Sequence, residues 1–169
     1  MLDNLAIRAY TRIVMGNNYS QTELSRQEIS ECAKCTAFNL KKATRAVQNL
    51  YDEAFKGVGL EGTQFTVLSH VFIFGPISIT KLAESMHVDR TTVARNLNPL
   101  VKKGLIETKQ GKDRRAKFIN VTDEGKRVLI QALPVWRNTH KQIVASIGRE
   151  KWADLISNLG DLVEKITES

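Results

Sequence analysis

Between Ser78 and Gly125 the chain reads SITKLAESMHVDRTTVARNLNPLVKKGLIETKQGKDRRAKFINVTDEG, and its apolar spacing changes there from a helical to a strand-like period. Ile79, Leu82, Ala83 and Met86 recur at the spacing of one helix face, and Ser78 stands where a hydroxyl caps the free N–H groups of a helix start. After His87 and Val88, Asp89 is a second N-cap, and Val93, Leu97, Leu100 and Val101 mark the apolar side of a second helix. At 100° per residue the opposite side carries Thr91, Thr92, Arg95, Asn98 and Lys102. Such side chains donate to phosphates, and Arg, Asn and Thr also read base edges in a major groove. Gly104 ends this helix where a left-handed residue is wanted.

From Leu105 to Lys109 and from Ala116 to Val121 the pattern predicts two strands joined by a short polar tip with one Gly. The tip is basic, and Arg114 and Arg115 suit a minor groove, whose negative potential draws arginine. Each piece alone is ordinary, since short amphipathic helix pairs and solvated basic loops are common. Their order and charge argue together for DNA. Ser78 to Asn120 holds ten Lys/Arg and four Asp/Glu, so this quarter of the chain carries +6 of the net +7. A positive balance so concentrated is the footprint of a nucleic-acid face.

The run DRTTVARNLNPLVKKGLI followed by DRRAKFINVTDEG resembles the recognition helix and wing of MarR-family winged-helix regulators, including the Asp113-x-Arg115 wing motif and the Thr122-x-x-Gly125 that opens the next helix. The likeness takes in TQFTVLSHV and spans roughly residues 30 to 165. It implies a mainly α fold with a small β-hairpin wing: a winged helix-turn-helix over 60–121, with dimerisation helices over 28–56 and 122–169 of a unit spanning 28–169. It also implies a homodimer on an imperfect palindrome of double-stranded DNA, usually repressing transcription. Carried residue by residue, the DNA-facing roles fall on Arg90, Thr91, Thr92 and Arg95 of the second helix and on Asp113 and Arg115 of the wing. Asn98, Lys102, Lys112 and Arg114 join them by position and charge. Asp113 would orient Arg115 by a charge-assisted hydrogen bond.

At 169 residues the chain is long enough for one domain with a dimerising appendage, and 42% hydrophobic with 25% charged residues is ordinary for a globular protein. No run of about 18 apolar residues suggests a membrane span, and the N-terminal residues lack a secretory pattern, so a cytoplasmic protein is expected. There is no P-loop, dinucleotide fingerprint, G-x-S-x-G or H-E-x-x-H. The three histidines are scattered, and no enzyme, cofactor or metal site is expected.

Residues 1–27 keep weak helical spacing that Gly16-Asn17-Asn18 breaks. A frayed arm, a short helix on a partner subunit, and leader residues before a start at Met15 all fit. Glu28 to Phe55 has no Gly or Pro and predicts one long helix with a stripe of Ala33, Ala37, Leu40, Ala43, Ala46, Val47 and Leu50. At about 40 Å it outreaches a small domain and suggests contact with a second chain. Thr63 is expected to cap the next helix, whose Phe65, Leu68, Val71 and Phe72 face the core. Thr122 opens a helix to about Ile147 with a bend near Pro134. After Gly148, a last helix carries Trp152, Leu155, Ile156, Leu159, Leu162, Val163 and Ile166 in a near-heptad stripe, which needs the cover of a twin subunit.

MarR-like proteins often bind small aromatic effectors beside the dimer helices or sense oxidants through a cysteine near the first long helix. Tyr51, His70, Trp136 and His140, with Phe55 and Phe72, are candidates for an aromatic pocket, although such residues are more often plain core. Cys32 and Cys35 are candidates for redox sensing near a helix start, or else small residues filling a dimer contact. The function implied is a regulator relieved by a small molecule or oxidant. The rival is an architectural or protein-docking winged helix with only non-specific DNA affinity.

Overall fold

A computed structural model describes residues 29–110 and 117–167, and the chain divides into two compact units, Met1–Ala43 and Thr44–Ser169. The arm expected over 1–27 lies outside the described residues.

In the first unit, residues 29–30 are helical, Glu31–Lys34 form a 3-10 turn, and helix α1 begins at Thr36 and runs to Phe55, on into the second unit. The helix expected from Glu28 to Phe55 is therefore broken at Cys35, whose ψ of 121° is extended. Hydrogen bonding explains the break. Cys35 N–H donates to Cys32 O at 3.0 Å in place of an α-helical bond, and the Asn39 amide donates to Ala33 O at 2.9 Å and Cys35 O at 3.0 Å. A side chain that takes main-chain carbonyls offers the backbone an alternative to the helix.

The second unit adds α2 (Gly62–Phe74), β1 (Ile77–Ser78), α3 (Ile79–Ser85), α4 (Arg90–Lys102), β2 (Ile106–Gln110), β3 (Lys117–Val121), α5 (Asp123–Ile147) and α6 (Arg149–Thr167). Thr63 does not cap α2. Glu61 occupies the cap position without a side-chain bond, and Asp52 of α1 accepts from Gly62 N–H at 2.6 Å, so the cap comes from the preceding helix. Phe65, Leu68 and Val71 are buried as expected, but Phe72 is 56% exposed and Val67 takes the inward place. The polar residues of this helix, Thr63, Gln64, Thr66, Ser69 and His70, are not gathered on one side, so the pattern does not tell these apart.

The sheet has three strands in the order β1-β3-β2, not the two of a simple hairpin. Thr108 of β2 and Ile77 of β1 both face Ile119 of β3, and all pairing is antiparallel. A two-residue strand is too short to show a period of two in sequence. Its second residue, Ser78, serves twice: its backbone pairs with Phe118 and its hydroxyl accepts from Lys81 N–H at 3.2 Å to start α3. Leu82, Val93, Leu97, Leu100, Ile106 and Ile119 close a core with Phe55, Leu68 and Val71.

The end of α4 is a Schellman turn. Gly104 at φ +69° donates to Val101 O, and Leu105 N–H donates to Leu100 O, each at 2.9 Å. Thr122 then stitches the start of α5 to this turn. Its N–H donates to Leu105 O at 3.0 Å and its hydroxyl donates to Gly104 O at 2.6 Å while accepting from Gly125 N–H at 3.0 Å. A Cβ on Gly125 would lie 2.2 Å from Leu105 O and 2.7 Å from Val121 Cγ1, so the Thr-x-x-Gly spacing is a demand of close approach. Helix α5 continues through Pro134; the Ile130 carbonyl that loses its donor there belongs to an exposed residue, where water can replace it.

Gly125→Ala should destabilise the protein by about 1–3 kcal/mol, because backbone must move to admit the methyl. Urea denaturation would show a lower midpoint at an unchanged slope. An unchanged midpoint would mean that the crossing is looser than these distances.

Candidate nucleic-acid interface

The helix-turn-helix is held by its caps. Helix α3 ends with His87 at φ +50°, where His87 N–H donates to Glu84 O at 3.1 Å and Val88 N–H to Ala83 O at 3.0 Å. This second Schellman turn uses histidine where glycine is usual, and histidine is among the residues that enter this region more readily. Asp89 then caps α4 twice over: Oδ1 accepts from Thr92 N–H at 2.8 Å and Oδ2 from the Thr92 hydroxyl at 2.7 Å. The Thr92 hydroxyl bond, followed by its backbone N–H, holds the Asp89 carboxyl below the ordinary carboxylate value.

Helix α4 buries Val93, Leu97 and Leu100, while Val101, expected inside, is exposed at the edge of the apolar side. Thr91, Arg95, Asn98 and Lys102 are exposed and share the opposite face. Thr92 is half-buried, and its donor is committed to Asp89. Arg90 is exposed, but Nη2 donates to Thr80 Oγ1 of α3 at 2.8 Å, tying the two helices together. Lys112, Asp113, Arg114 and Arg115 lie outside the described residues, in the connection between β2 and β3.

The four aromatic candidates do not line one pocket. Tyr51 and Trp136 line a cavity of about 320 Å³ with Phe55, Phe65, Thr63 and Gln48, and Met86 and Asn96 of the helix-turn-helix complete its wall. His70 and Trp136 line a second, of about 690 Å³, with Phe72, Ile73, Ile130 and Leu133. Phe65, Thr66 and Trp136 border both. Burial pushes the Tyr51 phenol above its ordinary value, which keeps it neutral and able to donate. His70 Nδ1 lies 2.9 Å from Thr66 O, so this nitrogen carries the proton. His140 lines neither cavity: it stacks on Trp136 with centroids 5.0 Å apart and meets Trp152 edge-on at 5.3 Å. Sequence reasoning missed Met86 and Asn96, since no periodicity shows that a cavity reaches the helix-turn-helix.

Cys32 lies in the 3-10 turn and Cys35 just after it, both exposed and outside any disulfide. Among the described residues no group of three or more His, Cys, Asp or Glu is placed to hold a metal ion, and no helix is long and apolar enough to cross a membrane.

Three helices, a three-stranded sheet and a polar face on the second helix of the turn define a winged helix-turn-helix protein. The MarR family model matches residues 60–117. The transcriptional regulator MosR of M. tuberculosis, solved in complex with DNA, is 32% identical, with 78% of this chain and 98% of that one covered at a TM-score of 0.68. The transcriptional repressor CouR, solved on a 23-mer DNA duplex, is 25% identical, covering 84% of this chain and 99% of that one at 0.71. MarR itself, at 21% identity and 0.65 over 80% of this chain and 99% of that one, shares the fold. The chain belongs to the MarR family: it is a DNA-binding transcriptional regulator and not an enzyme.

The Asp89 cap gives a pH dependence with a definite sign. A carboxyl lowered in the folded state contributes stability above its ordinary value near 3.8, and that contribution fades as pH falls through the lower folded value. Asp89→Ala should therefore lower the urea midpoint at neutral pH and differ progressively less from the wild type below about pH 4. A difference that persists undiminished at pH 2 would assign the loss to something other than the charged cap.

Proposed function

We propose that the protein is a homodimeric repressor that reads a palindromic operator through α4 and the wing. The observation that carries the DNA reading is the division of α4 into a buried apolar face and an exposed face of Thr91, Arg95, Asn98 and Lys102. A docking module has no need of that exposed chemistry. Arg95 and Asn98 are the base readers, Thr91 and Lys102 phosphate contacts, and Arg90 holds α3 to α4 while offering its remaining donors to the backbone. The wing roles stay with Lys112, Asp113, Arg114 and Arg115.

The dimer reading rests on α6. This helix buries no residue, and Leu155, Ile156, Val163 and Ile166 are exposed along a stripe that Trp152, Leu159 and Leu162 continue. In this reading residues 28–56 and 122–169 form the dimerisation helices. Pairing through them sets two recognition helices about 34–36 Å apart, the spacing of successive major grooves. Repression is the sign of regulation, as it is for the similar CouR. The protein works in the cytoplasm.

A small, flat, largely apolar effector relieves repression. The cavity shared by Tyr51 and Trp136 suits one aromatic ring, and its wall includes Met86 and Asn96, so an occupant touches the helix-turn-helix directly. The exposed Cys32 and Cys35 offer a second, oxidative input.

Fluorescence anisotropy against the protein's own upstream DNA and a shuffled duplex tests the main reading. A preference of about a thousandfold is expected. Arg95→Ala should cost about 1–3 kcal/mol on the operator and relax selectivity at one position; a uniform loss on every sequence would make Arg95 a phosphate contact. The same complex, challenged with simple phenols or with peroxide, reports which input releases it, and peroxide release that survives Cys32→Ser/Cys35→Ser rules out the thiols. Truncation before Trp152 should leave a monomer in sedimentation. A truncated chain that still dimerises would place the interface elsewhere.

A further inference from the structure

The last turn of α4 and its cap carry two adjacent lysines with different surroundings. Both are exposed, and Lys102 continues the face of Thr91, Arg95 and Asn98. Lys103, about 100° further round, sends its ammonium the other way: Nζ donates to Gly59 O at 2.8 Å and to Gln64 Oε1 at 3.0 Å. Gly59 closes the 3-10 turn Lys56–Val58 that leads into α2, and Gln64 lies in the first turn of α2. Gln64 is 7% exposed, an unusual place for an amide, and Lys103 supplies the donor its oxygen needs there.

We propose that Lys103 is a positioning residue for DNA reading: it pins the C-terminal end of α4 to the start of α2, and it does not neutralise a phosphate. The proposal rests on α4 being the DNA-reading helix. A lysine next to the DNA-facing stripe would ordinarily be counted as one more phosphate contact. Its ammonium is instead held by two oxygens from the loop before α2 and from α2 itself. The mechanical consequence follows from helix length. From Lys103 back to Thr91 is about 18 Å of helix, so a tilt of about 5° at the pinned end moves the reading end by roughly 1.5 Å. Hydrogen bonds to base edges tolerate only a few tenths of an ångström. Gln64 also sits between Thr63 and Phe65, which line the cavity of about 320 Å³, so the pin joins the cavity wall to the recognition helix.

Salt dependence separates the two roles. Each phosphate contact on duplex DNA contributes about 0.9 to the slope of log affinity against log salt. Lys103→Met should weaken operator binding about tenfold, leave the shuffled duplex nearly unaffected and keep the salt slope of the wild type. Lys102→Met, the control, should lower the slope by about 1.8 on both duplexes, one contact of about 0.9 from each subunit of the dimer. Gln64→Met, uncharged and close in volume, should reproduce the operator loss from the far side of the pin, and the double variant should lose little more than either single one. Lys103→Arg, which keeps donors at that position, should restore most of the binding. Circular dichroism and thermal unfolding of each variant identify any loss due to misfolding. A slope lowered by about 1.8 in Lys103→Met, or wild-type operator affinity in Gln64→Met, overturns the role of Lys103 alone. A wild-type protein that binds no DNA overturns the reading role of α4 and the proposal with it.

Discussion

The winged helix depends on one close crossing, where the end of α4 and the start of α5 meet over Leu105. Three backbone commitments converge there. The Leu105 amide closes the Schellman turn on Leu100, its carbonyl accepts from Thr122, and that carbonyl lies so near Gly125 that no side chain fits. Buried peptide groups must be paired, and this arrangement pairs them while turning the chain from helix into strand and from strand into helix. The sheet then has its register, with Ile106 opposite Val121, and the wing leaves the body in a set direction. A looser crossing would let β2 and β3 slip, and a slip of one residue would turn Ile119 out of the core.

From that crossing, α4 is oriented by bonds at both ends. Its N-terminus is fixed by Asp89 and Thr92, and by Arg90 reaching Thr80. Its C-terminus is fixed by Gly104, by Thr122 and by the Lys103 ammonium on Gly59 and Gln64. A helix of 13 residues is held rigidly by so many contacts, and its exposed face is left free for a ligand. Not every polar residue on the helix is available to that ligand. Thr92 caps, Arg90 braces and Asn96 faces a cavity, which leaves Thr91, Arg95, Asn98 and Lys102 with no such internal duty.

The cavities stand behind this frame. Tyr51, Phe55, Phe65, Trp136, His140 and Trp152 follow one another with ring centroids between 4.8 and 6.5 Å apart, linking α1, α2, α5 and α6 through stacked and edge-on contacts. Apolar faces of flat rings leave gaps that short aliphatic residues do not fill, and two cavities open beside Phe65 and Trp136. The chemistry of those walls is mainly apolar, with a neutral phenol, His70, Lys126 and a few amides and hydroxyls. It is unlike the cationic face of α4, and the two surfaces suit different ligands.

The sequence by itself determined the helix-turn-helix, the positions of its caps at Ser78, Asp89 and Thr122, the glycine at the end of α4 and the concentration of positive charge. These are local matters: caps act within three residues, periodicity shows within two turns, and charge adds without regard to fold. Only the tertiary structure decided what depends on distant residues meeting. The β1 strand exists because β3 lies beside Ile77; α2 is capped by Asp52, ten residues upstream; the helix expected from Glu28 breaks because Asn39 reaches back to Ala33; and Lys103 finds Gly59 and Gln64 across some forty residues of chain. The exposed Phe72 and the divided aromatic pocket belong to the same class. An amino-acid pattern states which groups must be buried or paired, and the partner is settled only when the chain has closed on itself.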